Sequence, residues 1–145
     1  MKYKYLPHTA DIKFQAFGKD LEECFTNAAY ALVNIITKSK VKSVEKRKIR
    51  IKARDRERLL YNFLEEFLYL LDVEDFLLAK INKIQIKSNI KRKNPLRYEL
   101  ELIVEIVGDK SKNYKTEGDV KAITYNSMEI KQDNKEVRCQ VVVDV

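Results

Sequence analysis

Glycine and proline are scarce in this chain, at three and two residues in 145. Average domains use several times as much of each, which argues against long disordered linkers and low-complexity segments. Tryptophan is absent, and histidine occurs once, at position 8. One imidazole cannot build a His-rich metal centre. Ser-His-Asp catalysis would have to use His8, and the sequence has no nucleophile elbow to go with it. Neither GxxxxGK(S/T) nor GxGxxG occurs, so no glycine-rich loop is available for nucleotide phosphates. There are two cysteines, Cys24 and Cys139, and no CxxC. Zinc-finger spacing is therefore missing. Each cysteine falls on an apolar stripe, so both read as buried small hydrophobes, not as a disulfide or a metal pair. No apolar run approaches membrane-spanning length, and the first residues lack a basic-apolar-small secretory pattern. The expectation is a soluble, cytoplasmic protein with no membrane partner and no free-standing enzymatic activity.

Charge and apolar residues are plentiful. Hydrophobic residues make up 45% of the chain, enough for one buried core, and the length suits one domain over residues 1–145. The 29 Lys and Arg outnumber the 22 Asp and Glu, for a net charge of +7. That balance suits a polyanionic partner, RNA or an acidic protein. A Lys/Glu-rich surface with little Gly and Pro also fits heat adaptation. Two basic tracts stand out, Lys38 to Lys52 and Lys87 to Arg97. They strengthen long-range attraction to RNA, but few aromatics are interleaved, so base stacking and sequence-specific reading are not supported.

Periodicity gives the elements. Ile12, Phe14 and Ala16 alternate with Asp11, Lys13 and Gln15, which predicts a half-buried strand over 11–17. Gly18-Lys19 turns the chain. Asp20, with Glu23 three residues on, forms a capping-box signature for a helix over 20–37. Its stripe is Leu21, Cys24, Phe25, Ala28, Leu32 and Ile35. A strand follows over 41–54, and Asp55 then caps a second helix with the wide face Leu59, Leu60, Phe63, Leu64, Phe67, Leu68 and Leu71. A short extended piece is expected over Phe76–Ala79, a strand through Ile81 to Ile90, and a turn at Asn94-Pro95. Leu96 to Ile106 alternates strictly and is the clearest strand in the chain. Gly108 to Gly118 reads as a polar loop. Short strands follow over 119–124 and 127–131, then a turn at Asp133-Asn134 and a last strand through Val137, Cys139, Val141 and Val143. Strands joined by short turns late in the chain pair antiparallel. The fold class is α+β, with two helices packed on a largely antiparallel sheet or sandwich.

The chemistry left to this chain is that of carboxylates. Asp11 lies on the polar face at the start of its strand, and Asp144 lies opposite the apolar face of the last strand. If those strands are neighbours, Asp11, Asp144 and a carboxylate oxygen of Val145 converge. Such oxygens suit a hard divalent cation, with water completing the shell, and a cation offsets the repulsion of like charges. The alternative is that each aspartate is simply solvated at a strand end.

The run Tyr5-Leu6-Pro7-His8-Thr9-Ala10-Asp11-Ile12 leads into a helix containing Asn27-Ala28-Ala29. Together with Lys121-Ala122-Ile123-Thr124-Tyr125 and the closing Val143-Asp144-Val145, it resembles the archease family nearly end to end, from Tyr3 to Val145. The resemblance implies a non-catalytic cofactor of the GTP-dependent tRNA-splicing RNA ligase, speeding guanylylation of the ligase histidine and permitting multiple turnover. It implies metal binding at Asp11 and Asp144 with an oxygen of Val145, the ion being Ca²⁺, with Mg²⁺ or Mn²⁺ as alternatives. It also implies a functional lysine at Lys121 and places His8 in the HTAD motif, where an orienting hydrogen bond near Asp11 is the favoured role over ligation. Lys121 could act as a point charge for phosphate or pair with the acidic site. Many members carry His after the KAxTY motif; here Asn126 stands there, which leaves hydrogen bonding but removes an imidazole. The family also implies a second role, a chaperone-like module modulating a tRNA methyltransferase or another tRNA-processing partner. Contact with tRNA would be indirect, through the ligase. A third reading, direct RNA binding, predicts salt-sensitive affinity without the ligase.

Overall fold

Among the described residues the chain forms seven strands and two α-helices. In chain order these are β1 (Tyr3–Leu6), β2 (Ile12–Gly18), α1 (Leu21–Ile36), β3 (Glu45–Ala53), α2 (Arg56–Glu74), β4 (Phe76–Lys93), β5 (Leu96–Lys110), a 3₁₀ turn (Ser111–Asn113), β6 (Ala122–Gln132) and β7 (Val137–Asp144). The computed structural model describes the backbone of residues 1–93 and 96–145, and the side chains of all but residues 90–97. The turn expected at Asn94-Pro95 lies outside the described residues.

Both helices start where their caps predict. The Asp20 carboxylate accepts from the Glu23 amide at 2.8 Å, and the Asp55 carboxylate accepts from the Arg58 amide at 2.8 Å. Each satisfies a donor that the first helical turn leaves without a partner. The Glu23 carboxylate reaches one residue past the expected capping-box partner, to the Lys19 amide at 2.9 Å.

The strands form two antiparallel sheets, ordered β1-β2-β7-β6 and β3-β5-β4. Helix α1 packs on β2 and β7 of the first sheet and on β4 of the second, while α2 packs on β6 of the first and on β3, β4 and β5 of the second. The helices thus join the sheets around one core, which is the expected α+β class. Phe25 of α1 and Phe63 of α2 are fully buried, with ring centroids 5.8 Å apart. Each such side chain contributes about 1.5–3 kcal/mol of burial. Cys24 and Cys139 are buried and free, as their apolar positions imply. The Cys139 thiol is held well above its ordinary range by the adjoining Cys24 and by burial.

Four local readings change. Strand β1 was not expected, because four residues ahead of a proline carry too little periodicity; it pairs with β2 from Tyr3↔Ala16 to Leu6↔Lys13. The pieces around Phe76–Ala79 and Ile81–Ile90 are one strand, whose alternation is broken by register shifts at Leu78/Lys80 and Ile81/Lys83. The start of the expected polar loop is the end of β5. Gly108 is buried there because a Cβ would meet the Leu77 carbonyl oxygen at 2.1 Å. The strands at 119–124 and 127–131 are one, β6, interrupted by a register shift between Thr124 and Glu129.

Candidate functional site

The register of the four-stranded sheet decides what meets at its end. Strands β2 and β7 pair from Ile12↔Val143 to Gly18↔Val137. The ladder ends at Ile12↔Val143, and Asp11 and Asp144 are the next residues beyond that pair on their two segments. Phe14, Ala16, Cys139, Val141 and Val143 are fully buried against the helices. Alternation along β7 therefore turns Asp144 to the opposite, outward face, and Asp11 directly precedes β2. The same face carries Gln15 and Gln140, whose amides bond at 2.9 Å.

Strand β6 brings in the third segment. Ala122 pairs with Asp144, and the Lys121 amide donates to the Asp144 carbonyl oxygen at 2.8 Å. The chain reaches that point over the C-terminal end of α1. There the amides of Glu117 and Gly118 donate to the Ile36 carbonyl oxygen at 2.7 and 3.3 Å, and the Thr37 hydroxyl donates to the Lys115 carbonyl oxygen at 2.8 Å. Gly118 permits this approach, since a Cβ would lie 2.3 Å from the Ile35 carbonyl oxygen.

The loop before β2 supplies His8 and Asp11. The Asp11 amide donates to the Thr9 carbonyl oxygen at 2.6 Å, closing a three-residue turn over Ala10, whose φ is 59°. Positive φ at a residue with a Cβ is uncommon, and a γ-turn of this hand is strained. His8 Nδ1 lies 4.0 Å from the Asp11 carboxylate, with side-chain exposures of 23% and 31%. That is close enough for charge attraction when the imidazole is protonated, but too long for a direct hydrogen bond.

The ends of β2, β7 and β6 place Asp11, Asp144, Val145 and the Lys121 backbone at one end of one sheet. The Lys121 side chain is exposed just ahead of β6 and is not joined to either aspartate by an ion pair among the described residues. Among the described residues, no three His, Cys, Asp or Glu side chains gather closely enough to hold a metal ion by themselves. A cation at this sheet end would meet two carboxylates plus main-chain oxygen. That set suits a hard cation that keeps part of its water shell, and it does not suit zinc, which favours nitrogen and sulfur. Neither aspartate has a Lys or Arg partner among the described residues, so no protein cation offsets the pair.

Sequence reasoning missed the features around Tyr125. The irregular stretch of β6 projects Tyr125 and Asn126, and Ser127 sits at φ 55°. Tyr125 is half exposed and stacks on Tyr61 of α2, centroids 4.2 Å apart and planes 9° from parallel. The Tyr61 hydroxyl is held above its ordinary range by burial and by nearby Glu65. Thr124 fixes the base of the projection. Its hydroxyl donates to the Val142 carbonyl oxygen at 2.8 Å and accepts from the Asn126 amide at 3.3 Å. The stack joins residues 64 positions apart, so no local signal could have revealed it.

The chain is similar over nearly its whole length to known proteins. The family model described as "Archease protein family (MTH1598/TM1083)" matches residues 3–145. A protein named "Protein archease" from Methanosarcina barkeri is 39% identical over 147 residues, covering 99% of this chain and 96% of that protein. Its namesake from Methanothermobacter thermautotrophicus is 34% identical over 145 residues, covering 99% and 98%. The solution structure of Methanobacterium thermoautotrophicum protein 1598 superimposes with a TM-score of 0.77 at 30% identity, covering 99% of this chain and 98% of that one.

Proposed function

The chain belongs to the archease family, and on that premise we propose that it is a non-catalytic cofactor of the GTP-dependent tRNA-splicing RNA ligase. It promotes ligase guanylylation and multiple turnover through the acidic end of its four-stranded sheet. The observation that carries this reading is the convergence of the chain's first and last motif segments. Asp11 directly precedes β2 and Asp144 ends the neighbouring β7, although 133 positions separate them in sequence.

Asp11, Asp144 and a main-chain oxygen of Val145 would hold a divalent cation, Ca²⁺ by preference, with Mg²⁺ or Mn²⁺ able to take the same oxygens. A cation bound there supplies concentrated positive charge beside phosphate oxygens. The protein's own residues supply position. The strained turn over Ala10 fixes the Asp11 backbone, and the Lys121 amide fixes that of Asp144. His8, 4.0 Å from the Asp11 carboxylate, would attract it when the imidazole is protonated. Lys121 stands at the same sheet end as a mobile point charge for phosphate. Such a surface accelerates a partner's reaction by orientation and charge stabilisation, with no covalent intermediate on this chain. No helix is long and apolar enough to cross a membrane among the described residues.

The test is single-turnover guanylylation of a cognate ligase by GTP, with the wild type and with Asp144→Ala. Stimulation by the wild type that disappears in the variant supports the proposal. An active ligase that the wild type does not stimulate overturns it and moves the assignment to a chaperone-like module for a tRNA methyltransferase or related partner.

A further inference from the structure

The outer face of the three-stranded sheet lies away from the helices and carries a separate charge pattern. On β3 the alternate residues Lys46, Lys48, Arg50 and Lys52 are exposed, while Ile49 and Ile51 pack against the core. The register sets β4 on the other flank of β5, with Lys83 paired to Glu105 and Lys87 to Glu101. The central strand contributes Glu99, Glu101 and Glu105 to this face. Among the described residues Lys46, Lys48, Arg50, Lys52, Lys80, Lys83 and Lys87 thus outnumber Glu99, Glu101 and Glu105 on this face.

The carboxylates do not satisfy the cations evenly. Glu101 is only 7% exposed and draws in Lys87 at 3.5 Å, Arg50 at 3.7 Å and Lys52 at 3.9 Å. Lys46, Lys48 and Lys83 enter no ion pair among the described residues. The buried carboxylate braces the face while its outer cations stay available to a partner.

We propose that this face docks the phosphate backbone of an RNA, independently of the acidic sheet end and without requiring the ligase. Charge complementarity selects a polyanion. Alternate residues of a strand lie about 6.7 Å apart, so the four β3 cations form a row about 20 Å long. A nucleic-acid strand presents a phosphate about every 3.4 Å of axis, so several fall within that row. An acidic protein partner is disfavoured because no aromatic side chain projects from the alternating positions of this face, and its apolar members, Ile103 and Val107, are largely covered. Protein interfaces need such anchors. The same lack of aromatics makes the binding sequence-independent and strongly salt-dependent.

The experiment measures fluorescence anisotropy of a labelled RNA stem-loop with the full chain, between about 50 and 200 mM salt. The variants are Lys46→Gln/Lys48→Gln/Lys83→Gln, which removes no ion pair, and Glu105→Gln, which removes an exposed negative charge. The triple variant is expected to bind about tenfold or more weakly at low salt, with the logarithmic salt slope reduced by about 2–3. Glu105→Gln is expected to tighten binding about twofold or more. Asp144→Ala is expected to bind like the wild type, so failure here is distinguishable from failure of the ligase proposal. Absence of RNA binding by the wild type overturns the inference, as does an unchanged slope in the triple variant. Loss of RNA-free guanylylation stimulation in the triple variant also overturns it, by showing that the face docks the ligase protein.

Discussion

Replacing Asp144 by Ala should separate metal binding from folding, and the two effects can be sized from neighbouring residues of β7. Asp144 is exposed and forms no ion pair among the described residues. Its structural bond, from the Lys121 amide, uses main-chain oxygen and survives the substitution. The metal-free stability of Asp144→Ala should therefore stay within about 0.5 kcal/mol of wild type. Val143 is fully buried. Val143→Ala removes about two methylene equivalents at about 0.8 kcal/mol each and adds a cavity term, giving a cost of about 2–3 kcal/mol. Metal linkage reverses the contrast. A cation that binds only the folded chain stabilises it by about 2.7 kcal/mol at 100 times its dissociation constant, a Tm rise of roughly 5–10 °C for a chain of this size. Thermal unfolding followed by circular dichroism, with EDTA and then with Ca²⁺, Mg²⁺ or Mn²⁺, reads both quantities. Wild type and Val143→Ala should show the rise, from different baselines, and Asp144→Ala should show none. A rise of equal size in Asp144→Ala would refute the assignment of that carboxylate. So would a wild type unmoved by about 10 mM of each ion, well above the dissociation constants of weak Ca²⁺ sites.

Three further outcomes test the scaffold. Asp20→Ala removes the bond to the Glu23 amide, and urea unfolding should show a loss of about 1 kcal/mol. Gly108→Ala forces a Cβ against the Leu77 carbonyl oxygen and the Phe76 ring; it should cost about 1–3 kcal/mol by the same measurement, and an unchanged urea midpoint would show that β4 and β5 can part there. The Asp109 carboxyl is held below its ordinary range, first by the Tyr114 hydroxyl at 2.7 Å and then by the Lys110 amide. A lowered folded-state value stabilises the fold above the ordinary carboxylate range, and that contribution is lost as pH falls through the folded value. The stability gap between wild type and Tyr114→Phe should therefore narrow as pH is lowered from about 6 towards 2 in urea titrations; a gap constant with pH would assign the Tyr114 effect to its bond with the Lys42 amide instead.

Local chemistry was legible wherever one residue's neighbours decided its fate. Asp20 and Asp55 announced helix starts because a carboxylate three residues before an amide satisfies an end the helix cannot. Strict alternation from Leu96 to Ile106 announced β5 because a half-buried pleat sorts residues by twos. The same rule broke down in β4, where shifted register scrambles the period, and at β1, where four residues hold too few repeats. The turn at Ala10 carried no glycine to advertise its positive φ.

The sequence by itself determined the α+β class, the burial of both cysteines, the surplus of positive charge and the segments that resemble archease. These follow from composition, periodicity and short motifs, which are properties of neighbouring residues. Tertiary structure alone decided that β2 lies beside β7 in the register that brings the segment at Asp11 to the end of β7 carrying Asp144. It also decided that Lys121 is tied there through its backbone, that Tyr125 leans on Tyr61, and that Glu101 gathers cations on the far sheet. Each joins residues from separate elements. Strand order and register come from packing all the apolar faces around one core at once, and no stretch of the chain encodes that alone.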